Sequence, residues 1–296
     1  MLEVALVTCA RLPELDPDDR LLLEPLAALE CRTTAAVWDD ASVDWDRFDV
    51  SVIRSTWDYT DRRDHFVEWA RSVPRLLNPA EVVSWNTDKR YLADLAAVGL
   101  PVIPTTWVTD PDALHLPPAG EHVLKPSIGA GSLDAARFDL GEPADRARAS
   151  AHARGILAAG RSVMVQPYAT AIEVAGETGV ILVDGRMSHG IHKGPMLGPK
   201  TLEEVEGLYK EERIEARTPS NAEIELAHAA VAAVPVGGGP LLYARVDMVP
   251  GADGQPMLME LELTEPSLFM VTSPVTANRF AHAIAERARL MAASRT

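Results

Sequence analysis

The sequence predicts an α/β fold, with a parallel sheet in the N-terminal part and two α+β units after it. Over the first hundred residues, short apolar runs alternate with helical stretches, as in VALVT, DDRLLLEPLAALE and TTAAVW, which is the pattern of βαβ units. All six tryptophans lie at or before Trp107, and this change in composition indicates a new unit beginning near Leu100. Further along, LMELEL alternates apolar and acidic residues, which is typical of a strand with one polar face.

The composition is that of a globular protein with a large negative charge. The chain has 296 residues, 47% of them hydrophobic, and a formal net charge of −15. Nucleic acids and anionic membranes bind basic surfaces, so neither is an expected partner. The two cysteines, Cys9 and Cys31, exclude a disulfide framework and are typical of a reducing compartment. Because no apolar run is long enough to span a bilayer and MLEVALVTCA lacks a basic start, we expect a cytoplasmic protein.

The order of the elements divides the chain into three segments. Residues 1–85 hold the predicted parallel sheet. Residues 86–168 begin with the helix TDKRYLADLAAVG, which we expect to place Lys89 in its first turn, and continue with the strands HVLKPS and SVMVQPY. Residues 169–296 contain the helix NAEIELAHAAVAAV, two strands that can pair across PGADGQ, and a closing helix, ANRFAHAIAERARLMAAS.

Acidic residues cluster on the two strands of this predicted hairpin. Because successive side chains of a strand point to opposite faces, Glu260 and Glu262 share one face at a spacing of roughly 7 Å, and Arg245 and Asp247 share a face of the other strand. Pairing of the strands would bring three carboxylates to one wall, where they need a cation. Oxygen ligands of this kind suit Mg²⁺ together with a substrate phosphate. The alternative interpretation is the solvated outer face of an ordinary hairpin.

A glycine-rich segment follows the strand that ends at Lys125. In VLKPSIGAGS, Gly129 and Gly131 are flanked by Ser127 and Ser132. Glycine lets backbone N–H groups approach an anion, and a lysine beside them adds positive charge for phosphate oxygens. The segment therefore predicts a phosphate-binding loop, although a flexible turn would have the same composition.

The strand SVMVQPY and the residues after it have the composition of a nucleoside site. The strand ends in Gln166 and Tyr168, where free backbone groups can bind an adenine edge. Glu173 or Glu177 can then accept hydrogen bonds from ribose hydroxyls. Each glutamate taken alone is more often a solvated surface acid.

The stretch RSTWDY lies at the carboxyl end of a predicted parallel strand, where open α/β sheets bind ligands. We expect Arg54 to bind the carboxylate of a small zwitterion. The side chains expected around that zwitterion are Ser55, Thr56, Trp57 and Asp58. The alternative is a packing contact of Trp57 beside a surface pair of Arg54 and Asp58.

The order of these motifs resembles that of the ATP-grasp ligases over essentially the whole chain. The matching motifs are NTDK at 86–89, LKPSIGAGS at 124–132, QPY at 166–168, RVD at 245–247 and MELELTEPS at 259–267. The glutathione-synthetase-like branch is the most similar, and RSTWDY, NTDKRYL and ELELTEPSLF together resemble the cyclo-ligases that close O-ureido-D-serine into D-cycloserine. The resemblance implies an N-terminal α/β domain and two α+β subdomains of the ATP-grasp type that clasp ATP.

The resemblance also implies a role for each candidate site residue. The implied ATP-binding residues are Lys89, Lys125, Ser127, Gly129, Gly131, Ser132, Gln166, Tyr168 and Glu177, with Glu173 as the alternative ribose ligand. The implied Mg²⁺ ligands are Asp247, Glu260 and Glu262. Lys193 and Arg245 would neutralise the transferred phosphoryl group, and the implied substrate contacts are Arg54, Ser55, Thr56, Trp57, Asp58, Thr264, Glu265 and Ser267. The family commonly has Asn where this chain has Glu262, and the added charge should tighten metal binding but weaken the attraction of ATP.

The implied activity is that of an ATP-dependent carbon–nitrogen ligase of antibiotic biosynthesis. A substrate carboxylate would attack the γ-phosphorus of ATP to give an acyl phosphate, while Mg²⁺ and lysines screen the charge. A nitrogen of the same molecule would then displace phosphate and close a ring, with loss of the carbamoyl group. The alternatives are an intermolecular amide or peptide ligase and a nucleotide-binding protein without turnover. The expected partner is a small amino-acid-like substrate, and the superfamily makes a homodimer a reasonable expectation.

Overall fold

The computed structural model describes residues 1–195, 213–235 and 241–293. Within these ranges the chain forms three sheets, each built from one stretch of the sequence: residues 2–77, 106–167 and 177–262. The first sheet is parallel, and the other two are antiparallel. The predicted fold class, with a parallel sheet followed by α+β units, is confirmed.

The first sheet consists of β1 (Leu2–Thr8), β2 (Cys31–Val37), β3 (Val50–Ser55) and β4 (Leu76–Leu77). The strands lie in the order β2-β1-β3-β4, and the connections contain helices α1 (Leu23–Ala28) and α2 (Arg63–Ser72). β1 is an almost continuous apolar run because its inner residues are buried, as in the central strands of parallel sheets.

Two short helices, α3 (Ala80–Asn86) and α4 (Tyr91–Ala97), lead out of the first sheet. The prediction that Lys89 lies in the first turn of a helix is wrong, because α4 begins only at Tyr91. The backbone N–H of Lys89 donates to the carbonyl of Ser127 at 2.8 Å, so this turn is held by the glycine-rich segment instead.

The second sheet consists of β5 (Thr106–Val108), β6 (Glu121–Pro126), β7 (Ala136–Asp139) and β8 (Val163–Pro167). The strands lie in the order β5-β8-β6-β7, and α5 (Pro143–Ala158) packs on them. α5 begins with proline, which suits the first turn of a helix, where the missing N–H would have no intrahelical acceptor. The two strands that end in the predicted phosphate lysine and the adenine hinge, β6 and β8, are therefore neighbours.

The third sheet has the strand order β11-β10-β9-β12-β13. Its elements, after α6 (Ile172–Ala175), are β9 (Glu177–Val183), β10 (Arg186–Lys193), β11 (Ile214–Arg217), α7 (Asn221–Ala232), β12 (Tyr243–Pro250) and β13 (Pro256–Glu262). Ser220 and Glu223 form a reciprocal capping box that fixes the start of α7.

β12 and β13 form the predicted hairpin. The register places Asp247 opposite Glu260 and Arg245 opposite Glu262, so charged side chains gather on one face, as predicted. The outer edge of β13 is covered by the chain that follows α4, because the N–H of Leu258 donates to the carbonyl of Pro101 at 2.7 Å. Covering this edge removes a row of unpaired backbone groups.

The last helix, α8 (Thr276–Ala293), joins the first and third sheets. Phe280 and Ile284 of α8 share one buried core with Val4 and Leu6 of β1 and with Ile181 of β9. This packing holds the carboxyl end of the parallel sheet close to the third sheet. None of the helices in the described part of the chain has the length and apolar character needed to cross a membrane.

Candidate active site

A cavity of about 440 Å³ is lined by residues of the second and third sheets and by residues that follow β1 and β3 of the first. The sequence-predicted residues that line it are Trp57, Lys89, Lys125, Gly129, Gly131, Ser132, Gln166, Tyr168, Glu177, Lys193, Arg245, Asp247, Glu260, Glu262, Glu265 and Ser267. Predicted nucleotide, metal and substrate residues thus meet in one place, although 210 positions of the sequence separate Trp57 from Ser267. The predicted residues outside the lining are Arg54, Ser55, Thr56, Asp58, Ser127, Glu173 and Thr264.

Arg54 lies outside the cavity lining, with a side chain that is 1% exposed. Its Nε donates to Oδ1 of Asp19 at 2.8 Å, and its Nη2 donates to the carbonyl of Pro266 at 2.7 Å. Ser55 donates to the other oxygen of Asp19 at 2.6 Å. The expectation that Arg54 and Ser55 contact the substrate does not fit this placement, because buried protein groups already occupy their donors.

The other predicted substrate residues outside the cavity lining also have contacts within the protein. Asp58 accepts from Nε1 of Trp38 at 2.9 Å and pairs with Arg62 rather than with Arg54. Thr56 is fully buried, and Thr264 donates to Oδ1 of Asn86 at 3.3 Å. Of the stretch RSTWDY, Trp57 is the residue that lines the cavity, and the contacts described above place the others outside this lining.

The carboxylates of the hairpin face are paired with cations. Nζ of Lys89 lies 3.0 Å from Oε1 of Glu260, and Nζ of Lys193 lies 2.9 Å from Oδ2 of Asp247. Arg245 bridges Asp247, at 3.0 Å, and Glu262. These contacts explain how acidic residues with a two-residue spacing can share one buried wall, since each has a positive neighbour.

Negative charge nevertheless remains crowded on this wall. Burial raises the pKa of Glu262 to about 8, and Glu260 and Asp247 add to the rise although Arg245 opposes it. Across the cavity, burial and the neighbouring Lys89 lower the pKa of Lys125. Carboxylates and lysines whose pKa values are shifted by burial and by each other therefore face one space, which suits a ligand that carries both phosphates and a divalent cation.

The predicted magnesium site of three carboxylates is not assembled. Within the residues that the structure describes, no group of three Asp, Glu, His or Cys side chains is placed to hold a metal ion. Both oxygens of Asp247 accept from Arg245, and one of them also accepts from Lys193. Glu260 and Glu262 still fit Mg²⁺, which commonly takes one or two carboxylates and completes its shell with water and phosphate.

The glycine-rich segment lies over Lys89. Nζ of Lys89 donates to the carbonyl of Gly129, and the segment is anchored where the N–H of Ser127 donates to Ser162 at 2.9 Å. Gly131 has φ +58°, a conformation that glycine adopts without strain. Ser127 itself is buried, so the predicted role of its side chain at phosphate is not supported by its position, whereas Gly129, Gly131 and Ser132 line the cavity.

The two candidate ribose acids lie in different environments. Glu173 is 43% exposed at the side chain, pairs with Arg137 and accepts from the Tyr168 hydroxyl at 2.7 Å. Glu177 is 7% exposed and lines the cavity. This placement favours Glu177 as the ribose ligand. Glu173 and Arg137 instead hold the ring of Tyr168, and the guanidinium carbon of Arg137 lies 3.6 Å from the centroid of that ring.

Sequence reasoning missed two acids of the cavity, Asp16 and Asp18, which lie in the loop after β1. The two oxygens of Asp18 accept from the N–H groups of Met270 and Val271, each at 2.9 Å. A signal was present in the sequence, because loops at the carboxyl ends of parallel strands are where ligands bind.

Comparisons with known proteins agree with this arrangement. Residues 4–78 match the family model described as the N-terminal domain of D-cycloserine synthetase DcsG. The cycloserine biosynthesis protein DcsG of Streptomyces lavendulae is 42% identical over 301 residues, which cover 96% of this chain and 98% of the relative. This chain belongs to the DcsG family. The recognition made from the motifs is thereby confirmed.

Solved structures extend the comparison. The crystal structure of D-cycloserine synthetase DcsG is 39% identical with a TM-score of 0.86, covering 97% of this chain and 99% of that one. The ATP-grasp ligase PsnB, complexed with minimal precursor, Mg and ADP, is 18% identical with a TM-score of 0.61, and 97% of each chain is covered. At that identity the likeness to PsnB shows the fold alone, which places the DcsG-family chain among proteins with the ATP-grasp fold.

Proposed function

We propose that the chain is an ATP-dependent carbon–nitrogen ligase that closes O-ureido-D-serine into D-cycloserine. The observation that carries the proposal is that Lys89, Lys125 and Lys193 share one cavity with the acidic wall of β12 and β13. Membership of the DcsG family supports the choice of product, because the relative of 42% identity is a cycloserine biosynthesis protein. The division of the chain at residues 85 and 168 into three domains is part of the same proposal.

The nucleotide occupies the half of the cavity between the second and third sheets. Gln166 and Tyr168 contact the adenine, and Glu177 accepts from the ribose. Lys89 and Lys125, under the segment with Gly129 and Gly131, bind the phosphates. Glu260 and Glu262 would hold Mg²⁺, which would supply positive charge to neutralise the triphosphate and withdraw electron density from the γ-phosphorus.

The reaction begins at the substrate carboxylate, which attacks the γ-phosphorus and becomes an acyl phosphate. Lys193 and Arg245, which line the cavity beside Asp247, stabilise the charge of the transferred phosphoryl group. The ureido nitrogen attached to oxygen then attacks the acyl carbon, phosphate leaves, and the five-membered ring closes. Water cleaves the bond between this nitrogen and the carbamoyl group, which leaves as carbamic acid, and D-cycloserine remains. The protein contributes mainly positioning and charge stabilisation, because both reacting groups belong to one molecule.

The substrate occupies the other half of the cavity. This half is closed by the loops after β1 and β3 and by the segment after β13. Trp57, Glu265 and Ser267 line it together with Asp16 and Asp18. This mixture of acids, a hydroxyl and an aromatic ring suits a small amino acid that carries an ammonium group. A small zwitterion is therefore the substrate class that this half favours.

The test is product analysis of ATP turnover. Purified protein with ATP and Mg²⁺ is expected to release ADP and phosphate only when O-ureido-D-serine is added, with D-cycloserine identified by mass spectrometry. D-Serine, which lacks the ureido nitrogen, and O-ureido-L-serine, which has the opposite configuration, serve as matched control substrates. ADP formation that requires a second amine would indicate an intermolecular ligase, and nucleotide binding without turnover would indicate a binding protein. Absence of ATP binding would contradict the proposal altogether.

A further inference from the structure

The segment that follows β13 has no regular secondary structure, yet its backbone is held at every residue from 263 to 268. Each consecutive carbonyl accepts a hydrogen bond from a different side chain. The pairs are Leu263 with Asn78 (2.8 Å), Thr264 with Tyr243 (2.8 Å), Glu265 with Trp57 (2.9 Å), Pro266 with Arg54 (2.7 Å), Ser267 with Arg245 (2.8 Å) and Leu268 with His189 (3.0 Å). Irregular backbone held in this way is fixed by the tertiary structure.

The donors come from distant parts of the chain. Arg54, Trp57 and Asn78 belong to the N-terminal part, and the other three belong to β10 and β12. Hydrogen bonds from buried side chains to buried carbonyls make the surrounding structure rigid. Breaking one of them would leave a buried polar group without a partner, which costs free energy. The side chains of Glu265 and Ser267 consequently enter the cavity from a fixed wall.

Glu265 differs from the other acids of this wall in its partners. Asp247, Glu260 and Glu262 are each within ion-pair distance of a lysine or arginine. Glu265 lies instead beside the phenol of Tyr59, a neutral group that is 3% exposed and stacks on Phe66 at 4.9 Å. A carboxylate held next to a neutral donor keeps more of its basicity than one held by a cation.

We propose that Glu265 is the general base that takes the proton from the attacking nitrogen, and that Arg54 and Trp57 position it through its backbone. This inference rests on the proposed cyclisation. In that step the nitrogen lone pair forms a bond to the acyl carbon, and the bond from that carbon to the phosphate oxygen breaks. Phosphate leaves with the electron pair, and the N–H proton moves to a carboxylate oxygen of Glu265, from which it passes to solvent on product release.

The electrostatics of the site agree with this role. Burial raises the pKa of Glu265 to about 7; the Tyr59 phenol, Lys89 and Arg245 oppose the rise, and Glu260 adds to it. The charged and titratable groups that face or share this part of the cavity are Tyr59, Lys89, Arg245, Glu260, Asp16 and Asp18. A base with a pKa near the working pH is the most effective proton acceptor.

The experiment separates the two chemical steps in Glu265→Gln. Hydroxylamine added to the assay captures the acyl phosphate as a hydroxamate, so ADP formation reports the first step and ring formation reports the second. We expect Glu265→Gln to retain hydroxamate and ADP formation but to form the ring about 10²–10⁴-fold more slowly, the usual contribution of a general base. Glu225→Gln, on the exposed face of α7, is the matched control and should behave as the wild type.

Tyr59→Phe provides an independent test that preserves the stacking on Phe66. Loss of the phenol removes a group that lowers the pKa of Glu265, so the acid limb of the kcat/KM profile should move to higher pH. If thermal denaturation shows that Glu265→Gln is unfolded, the pH profile of Tyr59→Phe becomes the deciding test. An acid limb at the same pH as in the wild type would then overturn the inference. Ring formation by Glu265→Gln at the wild-type rate overturns it as well, whereas a wild-type enzyme that forms no ring contradicts the proposed function itself.

Discussion

Nζ of Lys89 lies 3.0 Å from Oε1 of Glu260, so a residue from the turn before α4 and a residue of β13 meet inside the cavity. Burial opposes the charge on Lys89, but Glu260, Glu262 and Glu265 outweigh it and raise the pKa of the lysine. The pair therefore keeps both partners ionised in a buried site. A nucleotide with its metal ion can replace this contact by providing an anion for the lysine and a cation for the glutamate.

Glu260→Gln should abolish most of the turnover without unfolding the protein. The change keeps the size of the side chain but removes the charge that faces Lys89 and would bind the metal. We expect kcat to fall by about 10²–10³-fold, as for other groups that stabilise charge in a transition state, and ADP formation measures it. Glu24→Gln on exposed α1 is the control. A wild-type rate in Glu260→Gln would contradict the assignment of the acidic wall.

Arg137→Met should weaken ATP binding while leaving kcat nearly unchanged. The guanidinium of Arg137 lies over the ring of Tyr168 and also binds Glu121 and Glu173, so it fixes the ring beside the proposed adenine site. A cation–π contact of about 1 kcal/mol corresponds to a rise of about fivefold in KM for ATP. Arg148→Met is a matched control, because Arg148 lies over Phe138 at 5.9 Å, outside the cavity lining. Equal KM values in the two variants would exclude this role.

Arg54→Met should lower the free energy of unfolding by about 3–5 kcal/mol, because it leaves the charge of Asp19 buried without its partner. Arg32→Gln breaks the exposed pair with Glu3 and should cost about 0–1 kcal/mol. Urea denaturation measures both. Adding Asp19→Asn to Arg54→Met should recover part of the loss, since the unpaired charge disappears. An effect no larger than that of Arg32→Gln would show that the buried pair adds little stability.

The hairpin and the acidic wall could be predicted from the sequence, whereas the partners of Arg54 could not. The period of two along β12 and β13 and the short connection between them determine which side chains share a face, and the observed register agrees. Arg54 has Asp58 four positions away, which invites a local pair. Its actual partner, Asp19, is 35 positions away and reaches it only through the packing of the N-terminal sheet.

The choice between Glu173 and Glu177 also lay beyond the sequence. Both follow the hinge at a distance that suits a ribose, and only the position of Arg137 on β7, 36 residues from Glu173, draws Glu173 out of the cavity. Asp16 and Asp18 depend in the same way on the contact of their loop with Met270 and Val271. Periodicity describes faces of single elements, while these contacts depend on how separate elements pack.

His189 should make the stability of the protein depend on pH. Burial lowers the pKa of this imidazole although the carbonyls of Leu268 and Phe269 oppose the shift, so the neutral ring is favoured in the folded state. Because a carbonyl can only accept, Nε2 carries the proton that binds Leu268 at 3.0 Å, and Nδ1 accepts from Thr276 at 3.1 Å.

A folded-state pKa below the unfolded value of about 6.5 means that the unfolded chain binds more protons as the solution becomes acidic. The contribution of His189 is therefore fully present above about pH 6.5 and is lost as the pH falls through the interval down to its folded pKa. The free energy of unfolding, measured by urea denaturation, should therefore decrease less steeply with falling pH in His189→Gln than in the wild type. His282→Gln on the exposed face of α8 controls for the loss of a histidine. Parallel plots for His189→Gln and the wild type would show that burial of this ring does not couple to folding.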